Sequence, residues 1–407
     1  LQIMRGMNSR TIDLIYLDPP FNSNANYAAP IGSEAAGAEF KDTWGLSDID
    51  ETWCELIEDD HPSLWHLLRA VKLMHGDSMM SYLIYMIPRL MEMRRLLRPT
   101  GSIYLHCDPT ASHYLKLVMD DIFGKENFRN ELVWCYSGGG VPIKDFPRKH
   151  DVILRYTATS KYVFHTERKD YKENTQQVGK HSTLSGGHNI DLARGTPITD
   201  WWTDIKTVTG WSPEKIGYPT QKPIALLERI IKASSNSGDM VLDPFCGCAT
   251  ACIAAEGLAR EWVGIDISPK AADLVKLRMA KEMPLLTFNG IYREDKPNRT
   301  DLGEIPKYNS TENREQLYGK QGGDCNGCST HFKKQHLTVD HIISKSKGGT
   351  DHISNLQLLC NNCNSIKGDR PHAYLANRLM KLGFIDAVAK KILEEQDQRD
   401  KVNMQET

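Results

Sequence analysis

Apolar runs alternate with amphipathic stretches over most of the first 283 residues. Residues 12–18 predict a buried parallel strand that ends in Asp18-Pro19-Pro20. From Asn22 to about Ser81 the chain is rich in Ala, Gly, Asp and Trp and reads as an excursion with some helix. Residues 83–97 have helical spacing and stop before Pro99 and Gly101. A strand at 102–107 and a helix at 112–123, closed by Gly124, follow. Two more strands, 131–136 and 151–157, flank Gly138, Gly139 and Gly140. The rhythm lapses between 160 and 215. It resumes with a helix at 223–235, a strand at 240–245, a helix at 250–259, a strand at 262–267 and a helix at 269–282. Such alternation predicts an α/β fold, a parallel sheet with helices on both faces.

The C-terminal third has a different texture. Residues 284–320 are polar, contain Pro297 and Pro306, and read as a linker. A compact Cys/His domain occupies 321–372, and the tail 373–407 opens as an amphipathic helix and ends highly charged. Domains are therefore expected at 1–283 and 321–372. A length of 407 residues accommodates both.

Composition narrows the function classes. The net charge of −2 gives no global basic surface, so nucleic-acid contact must come from local patches. No apolar run is long enough to span a bilayer; the longest, residues 82–93, is cut by Pro88 and Arg89. No signal peptide is visible, and the chain opens at Leu1. Of ten cysteines, four fall in two Cys-x-x-Cys pairs. Three more, Cys246, Cys248 and Cys252, crowd one loop and read as packing thiols. That usage fits a reducing cytoplasm.

Two motifs carry the chemistry of the large domain. Asp18-Pro19-Pro20-Phe21 closes the first strand. Alone it is equally a strand-terminating turn. It also suits an exocyclic amino group, a poor nucleophile because its lone pair is delocalised into the base. The Asp18 carboxylate and the Pro19 carbonyl are two acceptors for its hydrogens, and the rigid prolines aim that carbonyl. Phe21 offers a face for a base taken out of the duplex. Downstream, Asp243-Pro244-Phe245-Cys246-Gly247-Cys248-Ala249-Thr250 follows a second strand. Gly247 permits close backbone approach, and a helix starting near Thr250 offers its amides to a carboxylate. Asp266 ends the next strand, placed for ribose hydroxyls.

In this order the motifs resemble the β-class, permuted DNA amino-methyltransferases. The likeness covers most of residues 10–282, including Tyr218-Pro219-Thr220-Gln221-Lys222-Pro223 and the segment from Arg98 to Asp108. It implies a Rossmann-like fold and S-adenosylmethionine held by Asp243, Phe245, Gly247, Thr250 and Asp266. Thr220 and Lys222 would lie near its methionine end, and residues 160–215 would form a target-recognition region. The aromatics there, interleaved with basic residues, fit stacking and phosphate contacts; the alternative is an ordinary polar insertion. Ala249 stands where the family often has a second Gly. The family also has an acid-ended strand upstream of residue 1, and residues 1–8 read as the end of the helix after it. An N-terminally incomplete copy is therefore expected, or a pocket that is built differently. His106 and Asp108 end a strand and receive no role.

Cys325-x-x-Cys328 and Cys360-x-x-Cys363 have the spacing of a four-thiolate zinc site. Between and after them lie Asp340-His341, Gly348-Gly349, Asn355 and Asn364. The segment resembles the HNH endonucleases, a ββα-metal fold. The likeness implies His341 as general base and Asn355 as brace of its loop. Asp340 and Asn364 would bind one catalytic divalent ion, magnesium or another, with Asn364 standing where many members have His. Six nearby lysines and arginines, among them Lys345, Lys367 and Arg370, suit phosphate contact.

The reading is a DNA methyltransferase, adenine N6 favoured over cytosine N4, fused to an HNH nuclease. Double-stranded DNA is the partner, a homodimer is compatible, no membrane is involved, and the setting is a prokaryotic or phage-infected cytoplasm. The alternative keeps the methyltransferase and makes the zinc domain a non-cutting DNA-binding module. Everything requires Asp18 and Gly247 to flank one cleft.

Overall fold

The computed structural model describes residues 1–22, 25–30, 32–45, 54, 57–58, 61–138, 140, 142–171, 194–283, 290–303, 305–347, 349–370 and 372–383. They divide into two compact units. The larger comprises Ser9–Leu46 and Leu68–Glu294, the smaller Leu1–Asn8, Ser47–Leu67 and Asp295–Thr407.

The large unit is built on seven strands: β1 (Ile12–Leu17), β2 (Leu97–Cys107), β3 (Phe128–Cys135), β4 (His150–Thr157), β5 (Trp201–Trp202), β6 (Met240–Asp243) and β7 (Glu261–Gly264). Their spatial order is β7-β6-β1-β2-β4-β3-β5. β1 runs parallel to both neighbours, with Leu14 beside Val241 on one side and Ser102 on the other. β6 and β7 are parallel too. The all-parallel expectation is corrected at the far side, where β4 runs antiparallel to β2 and β3. β3 and β4, joined by residues 136–149, pair as consecutive antiparallel strands with Cys135 opposite His150.

Every residue of β1 is buried, as helices on both faces require. Its one charge, Asp13, accepts from Arg98 of β2 at 3.1 Å and from the Met240 amide of β6 at 2.9 Å, linking β1 to both neighbours. The helices are α1 (Pro62–Leu96), α2 (Pro109–Phe123), α3 (Ile224–Ser234), α4 (Thr250–Gly257) and α5 (Lys270–Glu282). α1 starts at Pro62 rather than near 83, and its helical geometry is broken at Gly76. Asp108 caps α2 through the Thr110 and Ala111 amides, with Pro109 in the first turn. Leu226, Leu227, Ile230 and Ile231 of α3 pack with Ala251, Ala254 and Ala255 of α4 on Leu14, Tyr16 and Val241.

α5 is tied to the loop before α4 by one buried cation. Arg278 is fully buried. Its guanidinium donates to the Cys248 carbonyl at 2.9 Å, to Thr250 Oγ1 at 2.8 Å and to Glu282 Oε1 at 3.1 Å.

In the small unit β8 (Leu337–His341) and β9 (Leu356–Cys360) form an antiparallel pair with Leu337 opposite Cys360. Three helices accompany it: α6 (Thr311–Lys320), α7 (Asn361–Lys367) and α8 (His372–Lys381). Leu317 of α6 and Leu375 and Leu379 of α8 share a core with Leu337, Leu356 and Leu358. Two boundaries therefore move. The expected linker 284–320 ends in a core helix, and the tail helix belongs to this unit. Residues 172–193 of the expected target-recognition region and 384–407 of the tail lie outside the described residues. In the described part of the former, Trp201–Trp202 joins the sheet as its β5 edge. Among the described residues no helix is long and apolar enough to cross a membrane.

Arg278→Met keeps the volume but leaves the Cys248 carbonyl and Thr250 hydroxyl without their donor. A loss of about 2–4 kcal/mol is expected from chemical denaturation. A loss below about 0.5 kcal/mol would show that the guanidinium does not anchor the loop.

Candidate active sites

Because β1 and β6 are parallel neighbours, Asp18, just past Leu17, and Asp243, the last residue of β6, leave the sheet at the same edge. The chain turns outward in opposite directions here, from β6 to β7 and from β1 to β2. Ligands of open α/β sheets bind in the crevice such a switch creates.

The Asp18 carboxylate sits in an ion pair that is not sealed. Its Oδ2 accepts from Lys222 Nζ at 2.6 Å, and the side chains are 19% and 9% exposed. Its Oδ1 is buried without a hydrogen-bond partner among the described residues. An unpartnered buried acceptor is costly and rare, which makes this oxygen a place for an incoming donor. Lys222 Nζ also lies 5.1 Å from the Phe21 ring centroid. Lys222, expected near the methionine end of a cofactor, has its ammonium on Asp18. Pro19 is buried and Pro20 half-buried between these groups in the chain.

Phe21 stacks on His106, centroids 5.9 Å apart and planes 25° from parallel. His106 is fully buried. Its Nδ1 meets the Tyr16 hydroxyl at 2.8 Å and its Nε2 meets Asp151 Oδ2 at 3.0 Å. Tyr136 donates to Asp151 Oδ1 at 3.0 Å. Burial alone would lift the Asp151 pKa; the hydrogen bond from His106, with Lys222 and Tyr136, outweighs it and holds it low. The sequence held one signal of this cluster, a histidine inside an otherwise apolar strand. Its partners come from strands whose pairing the sequence does not display.

The loop after β6 is shaped for close approach. Gly247 has φ 48°, and a Cβ there would come within 2.8 Å of the Tyr218 hydroxyl. Ala249 takes the left-handed turn into α4 at φ 63°. Asp266 braces the loop, accepting from the Gly247 amide at 2.9 Å and the Ser268 amide at 2.8 Å. Asp243 accepts from the Phe245 amide at 3.1 Å. Burial, then the charges of Asp18 and Asp266, push its pKa up to about 8 against the Phe245 bond and Lys222. Two further residues of the expected cofactor set differ in burial. Thr250 is buried with its hydroxyl on Arg278. Thr220 is exposed at φ 59°. Cys246, Cys248 and Cys252 are buried, and burial raises all three thiols, as packing residues require.

In the small unit Cys325, Cys328, Cys360 and Cys363 bring their sulfurs within 4.8 Å of one another. A tetrahedral zinc with bonds of about 2.3 Å sets its sulfurs about 3.8 Å apart, so the cluster fits such an ion. Cys325 Sγ accepts from the Gly327 amide at 3.4 Å and the Cys360 amide at 3.2 Å, bonds that favour thiolate.

The HNH residues sit where β8, β9 and α7 meet. His341 Nε2 pairs with Asp351 Oδ1 at 2.8 Å, and Lys345 holds the other oxygen at 2.9 Å. Asp351 escaped the sequence reading. Burial opposes its ionisation, but Lys345 and His341 overcome that and depress its pKa. Asn355 braces the loop as expected, accepting from the Ile343 amide at 2.9 Å and donating to the Ile343 and Thr350 carbonyls. Gly349 is required there, since a Cβ would fall 1.7 Å from the Ile343 carbonyl oxygen. Asp340, expected to hold a divalent ion, is engaged otherwise. Its Oδ2 takes Lys367 Nζ at 2.9 Å and Gln357 Nε2 at 3.1 Å. Lys367 is fully buried and also donates to the His341 carbonyl at 2.9 Å. Asn364 is half-buried on α7.

A family model described as DNA methylase, of the N6/N4 type, matches residues 12–277, and one described as HNH endonuclease matches residues 325–370. The type II methyltransferase M.HpaI of Haemophilus parainfluenzae is 26% identical over 291 residues, 71% of this chain and 73% of that protein. M.EcaI of Enterobacter cloacae is 29% identical over 261 residues, 49% and 58% of the two chains. The DNA adenine methyltransferase YhdJ of Escherichia coli is 27% identical over 280 residues, 65% and 75% of the two chains. The PvuII cytosine-N4-specific DNA methyltransferase aligns in structure with a TM-score of 0.41 at 13% identity, over 74% of this chain and 92% of that one. The chain belongs to the N6/N4 DNA methylase family and carries a C-terminal domain of the HNH endonuclease family.

Proposed function

We propose that the large unit moves a methyl group from S-adenosylmethionine to an exocyclic amino group of double-stranded DNA, adenine N6 in preference to cytosine N4. The observation that carries this is Asp18 Oδ1, a buried acceptor without a partner, at the sheet edge it shares with the Gly247 loop. Asp18 before the proline pair and the likeness to YhdJ support adenine.

The residues around that loop fit the cofactor. Asp18 and Asp243 repel one another, as do Asp243 and Asp266, and Lys222 is the cation that opposes them at Asp243. The half-buried Asp18 and Asp266 carboxylates on either side of Asp243 suit a ligand with a sulfonium and an ammonium. Asp243, Phe245, Gly247 and Asp266 would hold it, and when bound it supplies an electrophilic methyl. Asp18 Oδ1 accepts one amino hydrogen and the Pro19 carbonyl the other. Lys222, fixed on Oδ2, leaves a single carboxylate oxygen facing the base. Phe21 supports the base, and Oδ1 takes the proton that leaves nitrogen once it is methylated. Positioning of this kind supplies much of the rate.

For the small unit we assign His341 as the base that draws a proton from water. Asp351 occupies Nε2, so Nδ1 is the nitrogen left to accept it. Zinc in the four-thiolate cluster staples the fold. A catalytic divalent ion fits less well, because Asp340 Oδ2 already carries the Lys367 ammonium. That contact favours a second reading, a DNA-binding module that does not cut.

Labelled-methyl transfer to genomic DNA tests the first assignment. Asp18→Ala should lower the rate about 10²–10³-fold without loss of cofactor binding. Transfer at the parental rate would remove Asp18 from the chemistry.

Asp243 makes a pH prediction. Its pKa rises from 3.8 to about 8 on folding, so its contribution to stability is full below about pH 4 and falls as pH rises to about 8. Asp243→Asn should therefore be more stable than the parent at pH 9, by about 2–5 kcal/mol, with the gap narrowing towards pH 5. Melts with a pH-independent gap would contradict the burial of that carboxyl.

Plasmid incubated with magnesium or manganese separates the two readings of the small unit. Cleavage lost in His341→Ala supports a nuclease. Plasmid that stays intact while the protein still retards DNA supports the binding module. Cleavage that emerges only in Lys367→Met would show that the ammonium blocks the ion.

A further inference from the structure

We infer that His106 is a positioning residue for methyl transfer, a ring pinned in one tautomer so that it fixes the plane of Phe21. This rests on the reading of Asp18 to Phe21 as the motif that grips the base.

The pinning follows from where the protons lie. Tyr16 is fully buried, and burial, with the nearby Asp18, Asp243 and Asp151 carboxylates, keeps its hydroxyl protonated. Asp151 is held low in pKa and can only accept, so the proton between it and His106 sits on Nε2, 3.0 Å from Asp151 Oδ2. With Nε2 as the ring's N–H, Nδ1 is the acceptor for the Tyr16 hydroxyl at 2.8 Å. Asp151 is itself held from the far side by the Tyr136 hydroxyl at 3.0 Å. The cluster crosses three adjacent strands: Tyr16 on β1, His106 on β2, and Asp151 on β4. Turning the imidazole over would break both bonds of a ring that is fully buried.

Such a ring is a rigid shelf. Trp134 meets it edge-on, centroids 5.9 Å apart at 89°. Phe21 lies along it at 25°. Lys222, 5.1 Å from the Phe21 centroid, ties the same ring to the Asp18 carboxylate. The plane against which a base would stack and the oxygen that would grip its amino group thus share one support. An aliphatic side chain at 106 would fill the space but leave Phe21 free to rock. In-line transfer is sensitive to displacements of an ångström, which cost about 10²-fold.

The experiment uses the full chain, labelled S-adenosylmethionine and duplex DNA of the sequence it methylates, with 2-aminopurine at the target in a parallel set. His106→Leu should lower kcat roughly 10²-fold and change the 2-aminopurine signal, while cofactor affinity stays within twofold. His106→Gln, which restores a donor to Asp151, should recover part of kcat. Nitrogen NMR of the parent should find His106 protonated on Nε2 and bare on Nδ1. Parental kcat in folded His106→Leu overturns the inference, as does a fall in kcat matched by an equal fall in cofactor affinity. A proton on Nδ1 also overturns it, and this arm holds even where the leucine variant does not fold. A parent chain that binds the cofactor yet transfers no methyl sinks the reading of Asp18 instead, and the tautomer still decides whether His106 is pinned.

Discussion

The parallel pairing of β1 with β6 is the constraint on which the large unit depends. The two segments are 227 residues apart at Asp13 and Met240, where a buried carboxylate accepts from a backbone amide. Closing so long a loop costs entropy that local contacts do not return, so burial on both faces of β1 has to offset it. Once formed, the pairing fixes which residues leave the sheet together. A one-residue slip would carry Asp18 to the other face and separate it from Asp243.

The edge so created is electrically unbalanced. Asp18 and Asp266 raise the cost of ionising Asp243, and Lys222 is the buried ammonium that opposes them. Its bond to Asp18 Oδ2 leaves one oxygen of that carboxylate paired and the other without a partner among the described residues. Here the fold is locally worse than it could be. Sites that bind and react are where such unsatisfied groups are retained.

The small unit meets the same problem differently. Its apolar core is small, and it brings together four cysteines that could hold a metal ion. Its ionisable groups are paired internally: His341 with Asp351, and Asp340 with Lys367. The first pair orients an imidazole without consuming its second nitrogen. The second neutralises a carboxylate from within the chain, so the unit does not rely on an added ion to balance Asp340.

Strand and helix positions in the large unit were legible because each element's apolar pattern is local, and helix α2 announced itself through Pro109 and Gly124. The two motifs were legible for the same reason: Asp18-Pro19-Pro20-Phe21 and the Gly247 loop are short, and their chemistry depends on residue type and order. Gly247 could be read as a close approach, though not that Tyr218 is what approaches. The start of α1 was missed because Gly76 interrupts its apolar spacing, and α6 because a helix with one buried leucine looks like a linker until its core exists. Partners were what the sequence withheld. Lys222 on Asp18, Asp151 on His106, Arg278 on Thr250 and Lys367 on Asp340 each join residues from different elements. Sequence alone determined which chemistry the chain carries, because that resides in side-chain types along short segments. Tertiary structure decided which oxygen is free and which is taken, because hydrogen bonds form between neighbours in space.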